Sequence, residues 1–422
     1  MDVNRGAWPI AWRGRTPIGR DQFEADIAAA MRTIAPGAPL LNLCRDRYLF
    51  AVAFMAICHR GGTNVLPPNE APEVIDQLSR EAAGVIDDRV SELLGEKDRR
   101  GAVLGRIEPQ HPAAIVHTSG TTGSPRSLVK TWHMLQSAAE ASLPAIFPER
   151  CHVVATVPPQ HMYGFEHGVM NALMGYASIH PGRPFFPVDV AGALEQLPPP
   201  RALVTTPFHL RSLIAADVVL PALSRVISAT APLGADTARV IEARWGCEVH
   251  EVYGLSEAGS IATRRPSLDL LWRAFPGLRV TADDSGARVS APYLAQDEPL
   301  PDLIRVDPDG RFELLGRHAD LVKVGGKRAS LTHLNECLRA IPGVEDGVIF
   351  TPGTPEGGRP AALVVAPGLS TGQILAMLAR HVDPVFLPRP LRLVPRLPRN
   401  AVGKLPREEL LRLLGTREPS RG

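Results

Sequence analysis

The stretch HTSGTTGSPR, His117 to Arg126, decides how this chain is read. The apolar run Ala113 to His117 before it predicts a strand, and Lys130 to Ala141 after it predicts a helix. Between them, Gly120 and Gly123 loosen the backbone, while Thr118, Ser119, Thr121, Thr122 and Ser124 supply hydroxyls. A loop of that composition offers many N–H and O–H donors and can wrap the oxygens of a polyphosphate. The plain alternative is a Ser/Thr/Gly turn. A Walker loop is excluded, because no Gly-Lys-Ser/Thr follows Gly123.

Outward from the loop, strand and helix signals take turns. Asp21 to Ile34, Tyr48 to Cys58 and Pro72 to Ala83 predict helices, the last with Pro72 at its first position. Gly84 to Asp87, Val153 to Val157, Ala202 to Thr205, Val226 to Ser228 and Glu248 to Val252 predict strands. That alternation predicts an α/β fold of mostly parallel, helix-covered sheets. After Gly310 the pattern changes to a compact α+β unit of about one hundred residues. It has strands at Phe312 to Leu315, Leu321 to Val324, Gly347 to Phe350 and Ala361 to Val365. Its helices run from Leu331 to Leu338 and from Gln373 to Arg380. The expected division is a large domain, 1–317, and a small mobile one, 318–422.

Composition narrows the class. The chain has 422 residues, 45% of them hydrophobic, and a net charge of +2, so no global field calls for nucleic acid or an anionic membrane. Cys44, Cys58, Cys151, Cys247 and Cys337 are isolated, which disfavours zinc and a disulfide framework and suits a reducing cytoplasm. The opening residues lack a signal-peptide core. The longest apolar run, Tyr48 to Cys58, is well short of the roughly 20 residues of a membrane span.

Thr118 to Gly123 and Pro125 resemble TSGTTGxPKG, the phosphate loop of the superfamily of acyl-CoA synthetases, peptide-synthetase adenylation domains and luciferases. Arg126 stands at the family's lysine and Ser127 at a glycine; an arginine still grips phosphate, in bidentate fashion. By that carry-over Arg126 serves the β- and γ-phosphates, with Lys130 next in line. EVYGLSEAGS, Glu251 to Ser260, is similar to the family's YGxTE element. A hydroxyl beside a carboxylate can take a phosphate oxygen and a magnesium ion together. The resemblance implies that Ser256 contacts the α-phosphate, Glu257 holds Mg²⁺, and Tyr253 with Gly254 lies beside the adenine. SATAPL, Ser228 to Leu233, resembles SGGAPL, the adenine wall, with Ala229 and Thr230 replacing its glycines.

The resemblance continues along the chain. In PPQHMYGFEHG, His161 falls beside the expected substrate carboxylate, and Tyr163, Phe165 and His167 follow it. VTTPFHL, with Phe208, matches the segment bordering the acyl pocket. PDLIRVDPDGRFELLGR resembles the family's ribose-binding pattern, which implies Asp302 and Arg317 on the sugar, with Pro301 in place of a glycine. HADLVKVGGKR resembles the hinge and acceptor loop, with Gly326 and Arg328 on matching positions and Ala319 at the hinge. RLPRNAVGKLPREEL places Lys404 at the family's catalytic lysine, where an ammonium can offset charge between carboxylate and α-phosphate.

The resemblance thus implies an AMP-forming acid–thiol ligase using ATP and Mg²⁺, with CoA or the phosphopantetheine of an acyl carrier protein as acceptor. It also implies a small domain that turns between the two half-reactions. The aromatic residues suggest a small aromatic acid, such as a hydroxybenzoate or cinnamate. The early phosphate loop suggests that the large domain is trimmed at its N-terminus. Arg126, Ala229 and Ala319 support a competing reading, a degenerate module that binds nucleotide or acyl ligand without turnover.

Overall fold

Two sheets organise the first part of the chain, and both grow from the alternation of strands and helices. The computed structural model describes residues 8–94, 104–118, 126–283, 286–317, 321–324, 327–353, 359–399 and 405–415. One sheet has five strands in the order Gly84–Ile86, Leu40–Asn42, Asn64–Leu66, Pro112–Thr118 and Arg126–Thr131. Its first four strands are parallel and the last is antiparallel. Parallel neighbours need a crossover, and the helix Arg47–His59 supplies one between Leu40–Asn42 and Asn64–Leu66. It is buried on nearly every face, as its apolar sequence predicts, and Asp46 caps it by accepting from the Leu49 N–H at 3.0 Å.

The second sheet has nine strands. Its order is Arg273–Ala274, Gly259–Arg264, Glu248–Leu255, Arg225–Ser228, Arg201–Thr205, Cys151–Ala155, Ala177–Ile179, Ala11–Arg13 and Thr16–Ile18. From Glu248–Leu255 to Ala11–Arg13 every neighbouring pair is parallel. Antiparallel strands stand only at the two ends. Under this sheet Val154, Leu203, Val226 and Val249 pack with Leu194, Leu210 and Ile241 from the covering helices.

One local expectation is corrected here. The phosphate loop leads into a strand, not a helix: Arg126–Thr131 folds back on Pro112–Thr118, with Lys130 opposite Ala114. The helix starts only at Trp132, because the Thr131 hydroxyl accepts from the Met134 N–H at 3.2 Å and ends the strand.

The chain divides into two compact units, Met1–Arg279 with Val289–Glu298, and Val280–Arg288 with Pro299–Gly422. Arg317, the boundary read from sequence, falls inside the second unit. That unit contains the hairpin Asp302–Val306 with Phe312–Arg317, and the hairpin Leu321–Val324 with Lys327–Ser330. It also holds a three-stranded sheet of Asp346–Phe350, Ala361–Val365 and Leu391–Leu393. Leu331, Leu334 and Leu338 of the helix Leu331–Arg339 pack on one side of this sheet, with Ile349, Val364 and Ile374. Leu410 and Leu414 of Arg407–Leu414 pack on the other, with Phe350 and Leu363. The predicted fold class, α/β with a small α+β unit, is the observed one. Among the described residues no helix is long and apolar enough to cross a membrane.

Candidate active site

The segments singled out in the nine-stranded sheet share one edge. Cys151–Ala155 runs into the stretch ending at His161, and Arg201–Thr205 into Phe208 and His209. Arg225–Ser228 runs into Ala229 and Thr230, and Glu248–Leu255 into Ser256 and Glu257. These four strands are adjacent and parallel, so all four segments lie at the carboxyl edge, where open α/β sheets form their ligand crevice.

The His161 segment is anchored from beneath. Arg47, with no exposed surface, donates to the carbonyls of Ala155, Val157 and Gly182. Burial lowers its pKa to about 10. His161 is half-buried and precedes the short helix Met162–Phe165. That turn requires glycine at Gly164, where a Cβ would lie 2.1 Å from the Pro158 carbonyl oxygen.

The expected aromatic wall divides. Tyr163 donates its hydroxyl to the carbonyls of Thr205 at 3.1 Å and Ile227 at 2.9 Å, bracing two strand ends. Phe165 is fully buried against Phe50 and Phe54 and serves the core. His167 is fully buried as well, its Nε2 2.9 Å from Ser260 Oγ, and burial pushes its pKa down to about 3. Phe208 is half-buried beside Phe185.

His209, the residue after Phe208 in VTTPFHL, stands on the same edge. Its Nδ1 is 3.0 Å from Thr206 Oγ1. Its Nε2 is buried without a partner among the described residues, as is Ser228 Oγ on the adjacent strand. Burial, aided by Arg183, lowers the His209 pKa to about 4, so the ring is neutral at pH 7. A lone histidine carries no sequence signal for this; Thr156, 3.4 Å from its Nδ1, follows the strand Cys151–Ala155 and is distant in sequence.

The adenine-wall segment is tied to its neighbour. Glu251, 2% exposed, accepts from the Leu233 N–H at 2.8 Å and from Arg264 Nε at 2.7 Å. Burial pushes this carboxyl above the usual range, and Arg264 opposes the shift. The Arg264 guanidinium also lies 4.4 Å from the centre of the Trp272 ring, which packs at 5.7 Å against Tyr253. One ion pair thus fixes both SATAPL and Tyr253. Thr230 has φ +77°, a left-handed conformation that favours glycine.

Ser256 and Glu257 are half-buried on the turn between Glu248–Leu255 and Gly259–Arg264. A register shift at Tyr253/Gly254 precedes the turn; such bulges re-aim side chains. In the second unit, Asp302 is 8% exposed and stands opposite Arg317 across the hairpin, the pairing the sequence assigned to ribose. Ser119, Gly120, Thr121, Thr122, Gly123, Ala319, Gly326 and Lys404 lie outside the described residues. For Thr118, Arg126, Arg317 and Arg328 only the backbone is described.

Comparison with known proteins gives the family. Residues 38–283, more than half of the chain, match the AMP-binding enzyme family. The chain belongs to that family of adenylate-forming enzymes. It is 30% identical over 235 residues to a 4-coumarate–CoA ligase of Rhodobacter capsulatus, covering 55% of this chain and 59% of that enzyme. A 4-coumarate–CoA ligase of Cereibacter sphaeroides is 27% identical over 68% of this chain and 69% of its own length. In fold, the chain is similar to an anthranilate CoA ligase solved with anthranoyl-AMP. That match has a TM-score of 0.81 at 16% identity and covers 98% of this chain and 95% of the other.

Proposed function

We propose that this family member is an AMP-forming acid–CoA ligase whose substrates are small, flat aromatic carboxylic acids. A carboxylate oxygen of the acid attacks the α-phosphorus of ATP, and the bond to pyrophosphate breaks. The thiolate sulfur of the acceptor then attacks the acyl carbon, and AMP leaves. The observation that carries this reading is the shared carboxyl edge, where the His161, Phe208, Thr230 and Glu257 segments end four adjacent parallel strands.

The residues present suit the ligands that this reading needs. Ser256 and Glu257 offer oxygen donors on one turn, and a single carboxylate suits an Mg²⁺ ion held otherwise by phosphates and water. When bound, the ion neutralises phosphate charge. Ala229, Thr230, Tyr253 and Gly254 are assigned to adenine, and Asp302 with Arg317 to ribose. Thr118 to Gly123 and Arg126 are assigned to the phosphates, His161 and Lys404 to the reacting carboxylate, and Gly326 to the acceptor side. The hinge is assigned to Ala319.

For the acid, the orphaned Nε2 of His209, whose ring packs against Phe208, suits a ring bearing a polar substituent. The named acids of the relatives, 4-coumarate and anthranilate, are of that kind. Both are CoA ligases by name, which favours CoA over a carrier protein as acceptor. The five cysteines are free thiols, four of them buried, which suits a reducing cytoplasm.

ATP–pyrophosphate exchange with a panel of aromatic and long-chain acids tests the proposal. Exchange should be highest with a hydroxybenzoate, aminobenzoate or cinnamate. Highest exchange with long-chain acids would overturn the substrate class. Nucleotide binding without exchange on any acid would point to the binding module instead.

A further inference from the structure

The turn that presents Ser256 and Glu257 is held by side chains from three other segments. Lys130 lies on the strand that follows the phosphate loop and is 4% exposed; its Nζ donates to the main-chain carbonyl of Glu257. The Tyr293 hydroxyl donates to the next carbonyl, that of Ala258, at 3.1 Å. Glu166, 2% exposed, accepts from the Ser260 N–H at 3.1 Å and from Ser260 Oγ at 2.5 Å. Between these contacts Gly259 has φ +78°, and a Cβ there would lie 2.4 Å from Glu166 Oε1. The main chain is therefore gripped at Glu257, Ala258 and Ser260 in turn.

Burying an ammonium this deeply is costly unless it meets compensating charge and acceptors. Lys130 meets both in part: the Glu257 carbonyl accepts from it, and the charges of Glu166, Glu257 and Glu298 favour the ammonium, although burial still lowers its pKa. This contact also changes the reading of Lys130 as a reserve phosphate ligand, because its ammonium is engaged behind the turn.

We propose that Lys130 is a positioning residue for the metal-binding turn, fixing the Glu257 main chain so that the carboxylate is already aimed when Mg²⁺–nucleotide arrives. The inference rests on the assignment of Glu257 to Mg²⁺ made above. A preset carboxylate adds affinity by removing the cost of ordering the turn on binding. The effect should therefore appear only when the metal is present.

Calorimetric binding of α,β-methylene ATP, with Mg²⁺ and with EDTA, separates this role from a structural one. Mg²⁺ should tighten binding to the wild-type protein. In Lys130→Met that gain should shrink by about tenfold, while metal-free affinity stays within about twofold. Lys130→Arg should restore part of the gain, since a guanidinium can donate to the same carbonyl. Tyr293→Phe, a milder change, should reduce the gain in the same direction. Equal losses with and without metal, or an undiminished gain in folded Lys130→Met, would overturn the role. If Lys130→Met does not fold, an undiminished gain in Tyr293→Phe overturns it. Failure of the wild-type protein to bind the analogue in either arm would instead overturn the nucleotide site itself, and this inference with it.

Discussion

Thr230 shows how a single residue can be read in part from sequence. SATAPL marks it as a replacement for glycine, but only the structure shows φ +77° there. A β-branched side chain in that region costs about 1–3 kcal/mol, more than the extra chain entropy that glycine loses on folding. Thr230→Gly should therefore raise the thermal unfolding midpoint by about 1–2 °C, measured by calorimetry without ligand. A lowered midpoint would show that the threonine's own contacts outweigh its strain. His209 and Glu251 were less legible. Each acts through partners distant in sequence: His209 through Thr156, Glu251 through Leu233 and Arg264.

Whole elements were legible where their periodicity was long, as in Arg47–His59, and less so where strands were short. RSLVKT ran into the helical pattern that follows, and only the Thr131 cap separates the two. The strand Cys151–Ala155 carries a further consequence, through His152. Its Nδ1 accepts from Trp12 Nε1 at 3.0 Å, and its ring stacks on Trp8. Burial, reinforced by Arg201, lowers its pKa from 6.5 to about 4. A depressed folded pKa gives stability that is present above the unfolded value, then lost as pH falls from 6.5 through about 4. The maximum slope is about 1.4 kcal/mol per pH unit for one proton. His167 and His209 act in the same direction, whereas the raised carboxyls of Glu166 and Glu251 act against it. Urea unfolding between about pH 7 and pH 4 should therefore show a shallower loss in His152→Gln than in wild type. Parallel curves would show that His152 takes up no extra proton on unfolding.

For the molecule as a whole, the alternation of strand and helix and the order of the motifs were enough to anticipate the fold and the family. What they could not supply was the carboxyl edge itself, because it is assembled by strand order rather than by chain order. Lys404 supplies the test at this scale, because the proposed activity has two half-reactions and the lysine is assigned to one. In the first, negative charge gathers between the carboxylate oxygen and the α-phosphate, and a cation there lowers the barrier. Losing it should cost several kcal/mol, about a hundredfold or more in rate. In the second, the acyl-adenylate already exists and the thiol needs no such counter-charge. Lys404→Ala should therefore abolish pyrophosphate exchange yet convert supplied acyl-adenylate and CoA to thioester at a near-normal rate. Equal loss in both assays, with the fold intact, would mean that the lysine serves both steps. Full retention of exchange would remove Lys404 from the chemistry and leave the first half-reaction without its assigned cation.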